Sequence, residues 1–319
     1  MSCINLFSIK VVAICLNLAT IYAFHLTSNQ DLLNNPDEIY ACGGYRHLDR
    51  DYANCNKYNI QTNEWESIES LSIARNLFNL VAFNNKLYAI GGNHDSDNLD
   101  INEVYDPNTG NWTYTASLIT KRFGAGADVL NNKIYVCGGR SDKNGDGQEI
   151  SSCESYSTET GKWQSLAPMS VARSFHALVA HEGYLYAIGG ESKETVERYD
   201  PKTNLWTPVA SLTQKRSLPG AVVYNNKIYV CGGVTFHDKD PSNTCEAYDT
   251  KTNKWTQIVE LDSNKWDLHL LVNDGRLYLA GGKDENIIEL FNDKSKLWKR
   301  QTIMPLDYYG QGVAILTSK

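Results

Sequence analysis

The chain carries 37 acidic and 30 basic residues over 319 positions, and the net charge of −7 argues against a nucleic-acid or anionic-membrane partner. The apolar stretch at 11–24 has 14 residues, so we expect no membrane span. Lys10 is the only charge in the first 30 residues, as is typical of a signal peptide. We predict a signal peptide over 1–23 and a linker over 24–36; the alternatives are an uncleaved anchor or a fragment of a longer protein's helical region.

From residue 37 onward the chain repeats a unit in which a short apolar run ends in two glycines. The first glycines of the pairs are 43 to 51 residues apart: Gly43, Gly91, Gly138, Gly189, Gly232 and Gly281. A Tyr lies three residues before each pair, a second aromatic ring follows a variable loop, and a Trp stands seven residues beyond that ring. Turn sequences such as DPKTNL (200–205) separate ring and Trp, which predicts a hairpin. One unit is therefore four short antiparallel strands, and six units arranged radially can bury their faces against each other.

The glycine pairs, the spaced Tyr and Trp, and the segment VERYDPKTNLW (196–206) resemble the Kelch family. The resemblance covers roughly residues 37–319 and implies an all-β fold, a six-bladed β-propeller of four-stranded antiparallel blades. The first unit lacks a preceding strand, and the chain ends with a spare one in YYGQGVAILTSK (308–319). We predict that this strand completes the first blade, because an open ring would expose a hydrophobic edge.

Six cysteines occupy two positions of the unit, and only in blades 1, 3 and 5. One position directly precedes the glycine pair, and the other lies three residues before the second ring. These positions fall on adjacent strands of one blade, so we predict three intrablade disulfides: Cys42–Cys55, Cys137–Cys153 and Cys231–Cys245. The alternatives are buried free thiols or a duplicated two-blade ancestor that carries the pattern without bonding; two cysteines supply only half of a tetrahedral zinc site. Paired cysteines behind a signal peptide favour a secreted protein over a cytoplasmic one.

A sequon, Asn111-Trp112-Thr113, could accept a glycan in the secretory pathway. Because Trp112 is a core ring position, we expect Asn111 to lie at a hairpin turn.

A basic residue stands 16 residues before each of the last five glycine pairs: Arg75, Arg122, Arg173, Arg216 and Lys265. In the first blade the equivalent position is near the uncharged Tyr308 and Tyr309. Propeller geometry brings these positions around the central opening. In the ubiquitin-ligase adaptors that the repeats most resemble, the matching arginines take acidic peptide motifs. The resemblance therefore implies partner binding by these five residues, with Trp266 and Tyr309 as aromatic contacts; the alternative is that the arginines cap strand ends and bond to backbone carbonyls.

No catalytic motif appears, and the seven histidines form no metal pair at ligand spacing. We therefore expect no enzyme, no catalytic residue, no cofactor and no metal. The sequence predicts a monomeric, secreted propeller that binds a protein partner with an acidic segment. The resemblance leaves three alternatives open: the substrate-recognition part of a ubiquitin-ligase adaptor, an actin-binding protein, and a sugar-acting enzyme of the epimerase or oxidase type.

Overall fold

The computed structural model describes residues 37–46, 50–141, 147–234, 241–282, 286–305 and 309–317. The predicted signal peptide and linker lie outside these residues. Six four-stranded antiparallel sheets follow one another around an axis, and the innermost strand of each contacts the innermost strands of its neighbours. The predicted six-bladed propeller is therefore confirmed.

Each blade is given from its innermost to its outermost strand. Blade 1 consists of Gly312–Leu316, Glu38–Cys42, Cys55–Asn59 and Glu64–Ile68. Blade 2 consists of Asn79–Phe83, Lys86–Ile90, Asn102–Asp106 and Asn111–Thr115. Blade 3 consists of Gly126–Leu130, Lys133–Cys137, Cys153–Ser157 and Lys162–Leu166. Blade 4 consists of Ala177–His181, Tyr184–Ile188, Val196–Asp200 and Leu205–Val209.

Blade 5 consists of Gly220–Tyr224, Lys227–Cys231, Cys245–Asp249 and Lys254–Gln257. Blade 6 consists of Leu268–Asn273, Arg276–Gly281, Ile287–Asn292 and Leu297–Ile303. Three small hairpins extend the loops after the glycine pairs of blades 1, 2 and 3: Tyr45–Arg46 with Arg50–Asp51, Asn93–His94 with Asp97–Asn98, and Arg140–Ser141 with Gln148–Glu149. Among the residues that the structure describes, no helix is long and apolar enough to cross a membrane.

The C-terminal strand closes the ring within blade 1. Gly312–Leu316 pairs antiparallel with Glu38–Cys42, with Leu316 opposite Glu38 and Gly312 opposite Cys42. The strand that the sequence leaves spare at its end thus supplies the one missing at its start. The predicted closure is confirmed, and the first blade joins the two ends of the described chain.

The core is divided among the six interfaces between neighbouring blades. Each interface has its own cluster of buried apolar side chains drawn from two consecutive blades. On every blade the second ring and the repeating Trp lie opposite each other on the two outer strands, with ring centroids 5.0–5.2 Å apart. The aromatic register in the sequence is therefore a cross-strand pair that packs the blade's outer half.

The glycine pairs are required by close contact between blades. A Cβ atom on Gly43 would lie 2.6 Å from the carbonyl oxygen of Arg75 in the linker to the next blade. The same clash, at 2.4–2.7 Å, recurs at the first glycine of blades 2 to 5. These glycines also have positive φ angles of 59–67°. A side chain at this position would push neighbouring blades apart.

Candidate functional site at the channel mouth

The five repeated basic residues are fully buried. Each lies three or four residues before an innermost strand, and Arg75, Arg122, Arg173, Arg216 and Lys265 are 0–1% exposed. Charged side chains are almost never buried this completely without partners. Their partners therefore decide what the ring of cations does.

The contacts of Arg75 illustrate how one of these buried cations is paired. Its guanidinium donates to the carbonyl oxygens of Gly91 (2.9 Å) and Ile101 (2.7 Å), and its Nη2 lies 2.8 Å from Oε1 of the buried Glu103. Its own carbonyl accepts the N–H of Gly44 in the preceding blade at 2.8 Å. Arg75 therefore fastens blade 1 to blade 2 through its backbone and side chain together.

The same device recurs in the following blades. Three further arginine–glutamate pairs have N–O distances of 2.6–3.0 Å: Arg122–Glu154, Arg173–Glu197 and Arg216–Glu246. In blade 6 Lys265 lies 3.0 Å from Asp262 and 3.9 Å from Glu289. Carboxylates, hydroxyls and carbonyls of the same chain therefore engage all five cations, as the strand-end alternative expects, and their contact with a partner's carboxylates stays a prediction.

The sequence contains a signal for this pairing that the basic residues alone do not give. The glutamate always follows the second cysteine position by one residue, as Glu103 follows Asn102 and Glu154 follows Cys153. Blade 1 has Asn56 at that place and no basic residue near Tyr309. Cation and carboxylate are therefore present together or absent together, which indicates a structural ion pair.

A ring of hydrogen bonds surrounds the channel mouth on the face that carries the three small hairpins. The ring is formed by six residues, each one or two positions before an innermost strand and each with a positive φ: Leu77, Gly124, Phe175, Leu218, Asp267 and Gly310. Around the circle, five backbone N–H groups donate to the carbonyl of the preceding member at 2.7–3.1 Å. The sixth, the N–H of Gly310, donates instead to Oδ2 of Asp267 at 2.6 Å. Four of the six members are not glycine, so the mouth holds backbone strain that sequence periodicity does not reveal.

Below this ring the channel has a volume of about 490 Å³ and is lined by all six innermost strands. Its wall is mostly small or aliphatic. Asp128 is an exception: its carboxylate accepts the N–H of Ala180 at 2.6 Å, and burial raises its pKa to about 6. His176 packs beside the wall with no hydrogen-bond partner on either ring nitrogen, and burial lowers its pKa to about 3.

Aromatic side chains with partial or full exposure lie on the segments that form the mouth. We call Tyr45, Phe123, Phe175, Trp266 and Tyr309 the aromatic rim. Tyr45 and Tyr309 pair by backbone hydrogen bonds of 2.8 and 2.7 Å, and their rings lie 5.6 Å apart. Phe123 and Phe175 meet edge to face at 6.1 Å. Two of the five, Trp266 and Tyr309, are predicted contacts; Phe123 follows its arginine by one residue, as Trp266 follows Lys265, and that spacing could have identified it.

The structure joins the cysteines in the predicted pairs: Cys42–Cys55, Cys137–Cys153 and Cys231–Cys245, each with a Cα–Cα distance of 4.1 Å. All six cysteines are buried. Asn111 is exposed and begins the outermost strand of blade 2 rather than lying within the turn. Its side chain is therefore accessible to a glycosylating enzyme, and glycosylation stays a prediction.

Comparison with curated proteins finds relatives that match part of the chain. Kelch-like protein 33 of Homo sapiens is 41% identical over 78 residues, which are 24% of this chain and 14% of that protein. Kelch-like protein 36 of Rattus norvegicus is 30% identical over 134 residues, 42% of this chain and 22% of that protein. The matched segments thus span less than a quarter of these relatives' lengths.

Among solved structures, that of YjhT superposes with a TM-score of 0.68 at 17% identity, covering 84% of this chain and 98% of YjhT, which supports the propeller fold. The family model described as the Kelch motif matches residues 74–119, 121–170, 172–213 and 215–261, more than half of the sequence. With its six blades and their repeated glycine pairs, the chain belongs to the Kelch family.

Proposed function

We propose that this chain is a secreted, non-catalytic propeller that binds a protein partner at its channel mouth. The observation that carries the proposal is the aromatic rim. Aromatic side chains are enriched among the residues that dominate binding energy in protein interfaces. Here five of them surround one opening on a rigid scaffold, next to the hairpins that follow the glycine pairs.

The polar groups beside the rim are of both signs. Arg140 pairs with Glu191, and Lys193 pairs with Glu149 at 2.7 Å. The five buried basic residues are engaged within the blades. The preference for an acidic partner loses its support, and a partner with mixed polarity around an apolar centre fits this surface better.

The three disulfides support secretion. Disulfides persist in oxidising compartments and are rare in the cytosol. A ubiquitin-ligase adaptor working in the cytosol would keep the same six cysteines as thiols. The oxidation state of the natural protein therefore distinguishes the secreted module from the adaptor.

The test places a photo-crosslinking amino acid at Tyr45 of the secreted protein and exposes it to extracellular proteins. Leu205, which is 59% exposed on the outermost strand of blade 4, carries the same probe as a matched control. We expect a discrete adduct from position 45 and none from position 205. Tyr309→Ala, with the probe kept at 45, should reduce the adduct at least about tenfold. Equal labelling from both positions would place the binding surface elsewhere.

A further inference from the structure

Hairpins from two different blades bring three metal-ligating side chains together beside the aromatic rim. Asp51 ends the small hairpin of blade 1, while His94 and Asp95 lie in that of blade 2. One ligand atom from each residue lies within 4.8 Å of the other two. Asp51 and His94 are 43 positions apart in the sequence, so no motif spacing could have shown this cluster.

The imidazole of His94 lies near both carboxylates, at distances too long for hydrogen bonds. Its Nδ1 lies 3.6 Å from Oδ2 of Asp51, and its Nε2 lies 3.6 Å from Oδ2 of Asp95. Nδ1 is shielded from solvent and has no hydrogen-bond partner. Two ligand atoms on one tetrahedral zinc ion are about 3.4 Å apart, since each bond is about 2.0–2.1 Å long. The spacing of Nδ1 and Oδ2 fits a shared ion better than a hydrogen bond.

The carboxylate of Asp51 is held in place by its surroundings. Its side chain is 8% exposed; Nδ2 of Asn76 donates to Oδ1, and the N–H of Asp95 donates to Oδ2 at 2.8 Å. Asn76 is itself fixed by a pair of backbone hydrogen bonds with Asn93, at 3.0 and 2.9 Å. Such outer partners orient metal ligands and leave a second lone pair on Oδ2 for an ion.

We propose that Asp51, His94 and Asp95 form a zinc-binding site that links blades 1 and 2. One imidazole and two carboxylates suit Zn²⁺, whereas Ca²⁺ and Mg²⁺ take oxygen ligands. Three protein ligands leave a fourth position for water. Because Asp51 pairs with Tyr45 across its hairpin, the ion also holds the hairpin that places Tyr45 on the rim.

The test is a calorimetric titration of the oxidised full-length protein with zinc chloride in a non-chelating buffer. We expect one zinc ion per chain. His94→Ala and Asp51→Asn should each weaken binding at least about tenfold. Asp97→Asn changes an exposed carboxylate in the same hairpin that lies outside the cluster, and it should leave the affinity unchanged.

Cobalt substitution gives a second readout. Co²⁺ in the wild-type protein should show the intense visible absorption of a four-coordinate ion, and the His94→Ala protein should lose it. Absence of zinc binding by the wild type, or equal affinity in His94→Ala, would overturn the proposal. The crosslinking test leaves Asp51, His94 and Asp95 unchanged and can succeed whatever the zinc titration gives, so the two proposals fail separately.

Discussion

Blades 1, 3 and 5 and blades 2, 4 and 6 share one fold but differ in one row of three residues across their inner strands. In the odd blades this row reads Gly-Cys-Cys, as in Gly126, Cys137 and Cys153. In blade 4 the same row is Ala177, Ile188 and Val196. The remaining rows are Gly312-Cys42-Cys55, Gly220-Cys231-Cys245, Asn79-Ile90-Asn102 and His269-Ala280-Ile288.

The difference extends to the interface with the next blade. Beside each odd-blade glycine lies a large side chain of the following even blade: Phe78 at Gly312, His176 at Gly126 and Leu268 at Gly220. The disulfide also closes the base of a longer loop, spanning 13, 16 and 14 residues against 12, 8 and 8 in the even blades. The molecule is therefore built from three two-blade units, each with its disulfide below a long loop of the mouth face.

The largest loss of stability should be the same in odd and even blades. Arg122→Ala in an odd blade and Arg173→Ala in an even blade each leave a buried glutamate without its counter-charge. Each should therefore lower the free energy of unfolding by about 3–5 kcal/mol. Urea denaturation measures both, with the exposed Arg300→Ala as the control, which should change it by less than about 0.5 kcal/mol. Losses below about 1 kcal/mol in both Arg122→Ala and Arg173→Ala would show that these arginines do not stabilise the fold.

The next effect should be confined to the odd blades. Replacing Cys137 and Cys153 together with Ala should lower the free energy of unfolding by about 3 kcal/mol, because the unfolded chain gains the freedom of the opened loop. In blade 4, Ile188→Val with Val196→Ala leaves the loop unconstrained as before and should cost less. Urea denaturation without reductant gives both values. An equally stable double-alanine protein would mean that this disulfide does not stabilise the fold.

A smaller effect should come from the glycine of the row. Gly126→Ala would place a Cβ 2.7 Å from Cβ of Leu178 and 2.9 Å from Nε2 of His176, so overpacking should cost about 1–3 kcal/mol. The reverse change in the even blade, Ala177→Gly, should cost about 0.5–1 kcal/mol. Thermal unfolding of the two proteins compares them. If Gly126→Ala destabilises the protein less than Ala177→Gly does, tight packing at Gly126 does not distinguish the two kinds of interface.

The smallest effect is a pH dependence at one interface. His176 has a pKa of about 3 when folded and about 6.5 when unfolded, so wild-type stability falls as pH drops below about 6.5. His176→Leu introduces the residue type that Leu268 supplies in blade 6, and it removes this proton uptake. Its advantage over the wild type should grow by about 1 kcal/mol between pH 7 and pH 5.5. Parallel stability profiles in urea at the two pH values would contradict this assignment.

The features that depend on the repeat register were predictable from the sequence. Each of these features recurs at a fixed position in the repeat unit: the glycine pairs, the ring and Trp positions and the alternating cysteines. Because every unit folds into one blade, a fixed position in the unit is a fixed position in the blade. The closing strand was predictable from the number of strands in each unit, because the first unit lacked one strand and the end of the chain had one to spare.

The candidate site was predicted poorly because its properties are not periodic. The repeat offset correctly identified Arg75 and its equivalents as one set of positions. The burial of the Arg75 side chain, however, depends on its pairing with Glu103, and the glutamate at a constant position in the repeat was the signal for that pairing. The hydrogen-bonded ring uses backbone groups, which leave no residue pattern. Asp51 and His94 meet only because neighbouring blades do, so tertiary structure alone brings them together.

Secretion and the oxidation of the three odd-blade cysteine pairs can be tested together on protein recovered from the culture medium. The protein is alkylated without reductant, digested and analysed by mass spectrometry. We predict no alkylated cysteine among the six and three linked peptide pairs: Cys42–Cys55, Cys137–Cys153 and Cys231–Cys245. Retention of the protein in the cytosol with six alkylated cysteines would contradict both secretion and the three disulfides.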